Sequence, residues 1–329
     1  MSASTDSYRI LLQERDIHTL HHNIFADLIL HSQNSDGGWG YRQGLHSTVE
    51  PTAWSILALL AIEGPSGTAI SSACEWLHRM QTDKGAWPTS SGKDEGCWVT
   101  ALACLALANS PRPSNDAIIR GTEWLCDTWP AEGDLLWRLR HRRQQKSETV
   151  VHQDHSLRGW GWTPDTASWV EPTAYVMILL QSLAPEIRPP QAARRLQLGE
   201  KMLYDRACPG GGWNAGNPLV YGVAGAPRIG PTAWALLALR HNPTHSTVSE
   251  GLQWLEQNYQ SPRSPASLAL TQLCLKVYGR ATRSIETELD GFYRNNQFLQ
   301  SIPVVAWASL ALTDLPCWLN NSPPAKDAI

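Results

Sequence analysis

The sequence predicts an all-α fold, an (α/α)6 toroid in which six outer and six inner helices alternate along the chain and close into a ring. Three observations predict it: a recurring glycine turn that ends in tryptophan, a proline-led apolar segment after each turn, and an amphipathic segment before it. A unit of this kind cannot bury its own faces, so copies must pack side by side. The ring is therefore read as one domain over residues 1–329, with its core at about 18–315.

The turns come first. Gln33-Asn34-Ser35-Asp36-Gly37-Gly38-Trp39 and Gln81-Thr82-Asp83-Lys84-Gly85-Ala86-Trp87 share the pattern Gln-x-x-x-Gly-x-Trp. Gly159-Trp160-Gly161-Trp162 and Gly210-Gly211-Gly212-Trp213 keep the glycine and tryptophan and lack the glutamine. The chain holds 16 tryptophans, and many of them fall at such repeated places rather than at random.

The inner helices come next. Glu50-Pro51-Thr52-Ala53-Trp54, Trp98-Val99-Thr100-Ala101, Glu171-Pro172-Thr173-Ala174-Tyr175 and Gly230-Pro231-Thr232-Ala233-Trp234 are copies of one motif. Weaker copies start at Pro265 and at Pro303, the last running to Trp307. Proline presets the dihedral of a first helical turn, where its missing N–H costs nothing. The residues after each proline are apolar on nearly every side, as in a helix surrounded by protein. Outer helices are read from polar residues at helical spacing over 21–32, 69–81, 116–128, 195–206, 248–259 and 285–299. This alternation leaves little room for a sheet. Unequal spacing places an insertion at about 130–158, with Arg138, Arg140, Arg142 and Arg143, and a second long loop at 214–229, with Tyr221 and Arg228. Long loops on a rigid scaffold are where binding groups tend to sit.

Composition narrows the function classes. Hydrophobic residues make up 42% and charged residues 17%, ordinary values for a chain with a large core. A net charge of −3 lacks the strong basic field that nucleic-acid binding requires. The apolar run 53–62 is about half the ~20 residues of a membrane helix, so no transmembrane segment is expected. Residues 1–16 lack the order of a secretory signal, which predicts a cytoplasmic protein. Seven cysteines with no Cys-x-x-Cys pair argue against a disulfide framework or a zinc knuckle and read as reduced core thiols.

The Gln-x-x-x-Gly-x-Trp turns resemble the QW motifs of squalene-hopene and oxidosqualene cyclases. The proline-threonine-alanine-aromatic helices resemble the inner helices of those enzymes and of protein prenyltransferase β-subunits. The resemblance spans nearly the whole chain. It implies a deep apolar cavity, lined by aromatic residues, that takes an isoprenoid or other apolar small molecule. Trp54, Tyr175, Trp234 and Trp307 are the wall candidates, since aromatic faces stabilise a developing carbocation without capturing it. Trp169, Tyr221 and Arg228 are further substrate-binding candidates. The resemblance also gives Trp39 and Trp87 a structural role, stacked between outer helices and the loop glutamines, and implies a protein partner as a second class of ligand.

The chain departs from both branches. No two aspartates are adjacent, so the Asp-x-Asp-Asp acid of the cyclases is absent, and one ring stands where those enzymes generally join two. Thr52 and Thr173 occupy the place of the prenyltransferase zinc thiolate, and Pro231 that of the histidine. No metal and no cofactor are expected. The acids repeated at one motif position are Glu50 and Glu171; an apolar cavity raises a carboxyl pKa and lets it protonate an alkene or epoxide. The competing account is that each faces the positive end of its own helix, worth ~0.3–1 kcal/mol. Asp165, with His152 and His155 in the same loop, is a weaker candidate acid. The expected activity is that of an isoprenoid-handling enzyme, cyclase-like or prenyltransferase-like. The alternative is a noncatalytic toroid that binds a lipid or a peptide.

Overall fold

The computed structural model describes residues 25–63, 67–93, 95–133, 153–261, 263–280, 283–294 and 301–320. Arg138, Arg140, Arg142, Arg143 and His152 lie outside the described residues, as do the outermost parts of the first and last predicted outer helices.

Twelve α-helices are described. Six are outer: α1 (25–31), α3 (Thr68–Met80), α5 (Asn115–Asp127), α7 (Ala192–Asp205), α9 (Ser246–Asn258) and α11 (Arg283–Arg294). Six are inner: α2 (Val49–Glu63), α4 (Val99–Ala108), α6 (Val170–Ser182), α8 (Ile229–Ala238), α10 (Pro265–Val277) and α12 (Ile302–Leu312). Pro51, Pro172, Pro231, Pro265 and Pro303 all sit in first turns, where no intrahelical bond is lost. Every residue of α4 from Val99 to Leu107 is buried. By contrast α3 buries Ile70, Ala73, Trp76 and Leu77, one stripe at helical spacing.

Each outer helix reverses the chain, so the inner helices run in one direction. They pack in the order α2, α4, α6, α8, α10, α12, and α12 packs back on α2, which closes the ring. Outer helices α3, α5, α7, α9 and α11 each pack on the inner helix before them. The one described sheet is a two-residue hairpin, β1 (Leu219–Val220) and β2 (Val223–Ala224), in the loop ahead of α8.

The repeated turn is a hydrogen-bonded clasp. The indole N–H of Trp39, Trp87, Trp160 and Trp213 donates to Ile29, Leu77, Leu125 and Leu203 at the end of an outer helix, over 2.6–2.7 Å. The backbone N–H of the same four residues donates to the hydroxyls of Thr52, Thr100, Thr173 and Thr232 over 2.8–2.9 Å. Threonine thus has a bonding role at the position where a prenyltransferase would place its thiolate. Gln33 and Gln81 donate to their own turn, at Gly37 and Gly85, and to the next outer helix, at Ala69 and Ala117.

Beyond α12, residues 313–320 cross the C-terminal end of the ring as a strap. Trp318 and Leu319 are buried there, and the Arg240 guanidinium donates to the Trp318 carbonyl, the Leu237 carbonyl and the Gln181 side chain. Lys276 reaches the carbonyl of Thr313, and Arg188 those of Leu183 and Gln181. These cations lie where the inner helices present the negative ends of their dipoles.

Candidate functional site

The opposite end of the ring gathers the first turns of the inner helices, and with them Glu50 on α2 and Glu171 on α6. Two factors position Glu50: its place in the proline-led turn, and the Tyr41 hydroxyl, which donates a short hydrogen bond to its Oε2. Tyr41 is held in turn because its carbonyl accepts from the N–H of Ile302 at the start of α12, over 3.0 Å. Glu50 therefore answers to three elements: α2, the loop after the first turn, and α12.

Burial pushes the Glu50 carboxyl above the ordinary value of 4.5; the Tyr41 bond opposes that shift and the charge of Glu171 adds to it. Burial also raises Glu171, and the Arg228 guanidinium works against the rise. The two acids stand on helices separated by α4, yet each lies close enough to bear on the Tyr175 phenol, which burial first and then Glu171 and Glu50 hold well above its usual range. The pair is asymmetric. Glu171 has a cation beside it, whereas Glu50 has a phenol and a second acid. Glu50 also lies in the first turn of its helix, so the helix-end account applies to it together with the bond from Tyr41.

Below the acids the aromatic candidates come together. Trp54 stacks on Trp234 at 5.3 Å between centroids, and Tyr175 meets Trp234 edge-on at 4.9 Å. Trp307 stands edge-on to both Trp54 and Trp234, and Trp318 of the strap lies 6.5 Å from Trp54. Trp54 is 0% exposed and Trp234 1%. At this depth the rings fill the axis rather than line an open chamber, which differs from the expected hollow centre. Four indoles and a phenol on inner helices and strap are bulky enough to meet in the middle. The buried N–H groups of Trp54 and Trp307 find no oxygen or nitrogen acceptor. Both rings stand edge-on to a neighbouring aromatic face, a weak π acceptor.

A small open cleft lies to one side of the acids, bounded by the start of α4, the end of α5 and the start of α6. Trp98, Trp124, Trp129 and Trp160 line it. Arg195 braces its floor, stacking on Trp129 at 4.0 Å and on Trp160 at 4.2 Å.

The remaining sequence candidates fall outside this group or at its rim. Asp165 is exposed in a left-handed turn with φ 61°. Tyr221, 71% exposed with φ 50°, is the tip of the β1–β2 hairpin. Arg228 precedes α8 and faces Glu171. Trp169 caps α6, half-buried, and its N–H donates to the Trp160 carbonyl. Tyr41, Trp98 and Trp318 belong to the site and its surroundings although sequence reasoning assigned them no role there. Trp98 could have been found, since it occupies the motif position ahead of the second inner helix; Tyr41 and Trp318 sit outside any repeated pattern.

Among the described residues no group of three or more His, Cys, Asp or Glu side chains is arranged to hold a metal ion, and no helix is long and apolar enough to cross a membrane. The arrangement supplies a carboxylic acid whose pKa burial raises, a second acid beside a guanidinium, and aromatic faces beneath them. Such a set can donate a proton to an electron-rich carbon and stabilise the resulting cation.

No family model matches the chain, and no curated protein does. Solved structures do. The chain is similar to the type II terpene cyclase MstE from Scytonema in complex with merosterolic acid A (product), at 14% identity and TM-score 0.59, over 92% of this chain and 98% of that one. The same enzyme with geranylgeranyl dihydroxybenzoate (substrate) gives 14% and 0.58, over 92% and 98%. A protein from Actinoplanes gives 16% and 0.57, over 90% and 98%. A reducing-end-xylose releasing exo-oligoxylanase gives 10% and 0.53, over 90% and 93%, so the ring also carries unrelated chemistry. At these identities the likeness is one of architecture, and the chain has a terpenoid cyclase-like all-α toroid fold.

Proposed function

We propose that this protein is an isoprenoid-handling enzyme that starts a cyclisation or prenyl rearrangement by protonating a polyprenyl substrate, with Glu50 as the proton donor. The observation that carries the reading is the Glu50–Glu171 pair, half-buried at one end of the ring next to a cluster of aromatic rings. Burial raises the Glu50 pKa, which favours the protonated donor, and the bond from Tyr41 stabilises the carboxylate left after transfer. Burial raises Glu171 as well, and Arg228 opposes that rise, so the two acids differ in their surroundings. The likeness to a cyclase whose substrate carries a geranylgeranyl chain supports the substrate class. The test is incubation of the purified protein with linear polyprenyl diphosphates, squalene and a geranylgeranyl-substituted phenolic acid, with analysis for new hydrocarbons, alcohols or ring products. Glu50→Gln is expected to reduce turnover about a hundredfold or more, the size of a general-acid contribution. No turnover by the wild-type protein on any of these would overturn the reading.

The packed axis favours a second reading, a noncatalytic toroid that binds a lipid or a peptide. Native mass spectrometry separates the two: a retained lipid that is never converted supports binding alone.

A further inference from the structure

On the reading that a polyprenyl chain engages the acid pair, we propose that the chain lies sideways across the mouth of the ring, over Trp98 and into the cleft between α4, α5 and α6, and not down the ring's axis. Two observations point this way. The axis beneath the acids is closed: Trp54 and Trp234 are 0% and 1% exposed, and Trp318 lies beneath Trp54. The cleft is open and lined mostly by apolar residues, and three of its wall residues adjoin the acid site. Trp98 forms part of its wall and also stacks on Tyr175 at 5.5 Å, so one indole faces both spaces. Pro172, another wall residue, directly follows Glu171. Cys97, a third, lies close enough to Tyr41 to act on its phenol.

The lining fixes the ligand chemistry. Four indoles, with Pro172 and Val176, offer flat apolar faces and few groups that would recognise a polar molecule. A flexible hydrocarbon chain suits such a wall, because it gains burial along its length and leaves no polar group unpaired. Chain length then matters at the far end of the cleft, and the reacting double bond stays beside Glu50.

The experiment uses the full chain labelled with 5-fluorotryptophan, with fluorine resonances assigned through single Trp→Phe variants and titrated with geraniol, farnesol and geranylgeraniol. The proposal expects geranylgeraniol to move the resonances of Trp98, Trp124 and Trp129 and to leave those of Trp54 and Trp318 nearly in place. Thr163→Trp, which fills the exposed side of the cleft, is expected to weaken geranylgeraniol binding about tenfold or more and geraniol binding far less. If Trp54 and Trp318 move instead and Thr163→Trp has no effect, the chain runs down the axis; the proposal fails while the isoprenoid reading stands. If no resonance moves with any of the three alcohols, both fall together.

Discussion

At the scale of single residues, the same chemical group does different work depending on what surrounds it. Thr52, Thr100, Thr173 and Thr232 recur at one motif position, and each hydroxyl accepts from a buried tryptophan N–H. Thr100→Val keeps the shape and removes the acceptor, leaving a buried donor unmet. It is expected to destabilise the protein by about 1–3 kcal/mol in denaturant titration. The acids show the other side of this dependence. Glu50 and Glu171 begin helices in the same way, but the neighbours that distinguish them, Tyr41 and Arg228, come from other segments. The repeat reveals that two acids recur at one position. How far each of their pKa values moves depends on packing that has no trace in local spacing.

At the scale of elements, the glycine of the turn sets how closely successive units approach. Gly85 has φ +86°, and an added Cβ would stand 2.7 Å from the Arg120 carbonyl oxygen on the next outer helix, a backbone atom that cannot move aside alone. Gly92 also has positive φ, +75°, but open space around it. Gly85→Ala is therefore expected to lower the melting temperature clearly more than Gly92→Ala, which bears only the conformational strain. The strap over the opposite end offers a second test. Arg240→Lys keeps the charge but loses the fork that joins Gln181, Leu237 and Trp318, so faster amide exchange is expected around 317–319 with little change at α2. Twelve helices and their order were legible in the sequence because turn, proline and apolar run repeat together. The strap was not, because residues 313–320 belong to no repeat and their burial depends on a ring already formed. The filled axis escaped for a related reason: Trp54, Tyr175, Trp234 and Trp307 are visible as aromatic residues on inner helices, but whether they line a space or close it depends on how far their rings reach towards one another.

At the scale of the whole molecule, charge is divided between the two ends of the ring: buried acids where the inner helices start, and Arg188, Arg240 and Lys276 where they finish. This division predicts how stability varies with pH. Glu50 and Glu171 hold their protons more tightly folded than unfolded, so their contribution is complete below the ordinary carboxylate value of 4.5 and is lost as pH rises through their raised folded values. Asp36 acts oppositely. Burial works against it, but bonds from Ser47, Gly38 and Trp76 bring it below 3.8, so its contribution is present above that value and lost as pH falls. The double variant Glu50→Gln/Glu171→Gln is expected to flatten the decline of the melting temperature above pH 4.5 and to leave the acid limb unchanged. An unchanged slope above that pH would show that neither carboxyl is held protonated in the folded ring.

The closure of the ring by α12 on α2 also bears on how the chain is made. A ribosome delivers α2 well before α12, so while the intervening helices are made the flank of α2 that α12 will cover has no partner. That oily edge invites another nascent chain, and a holding chaperone, or crowding low enough to avoid such encounters, would govern yield more than the final stability does.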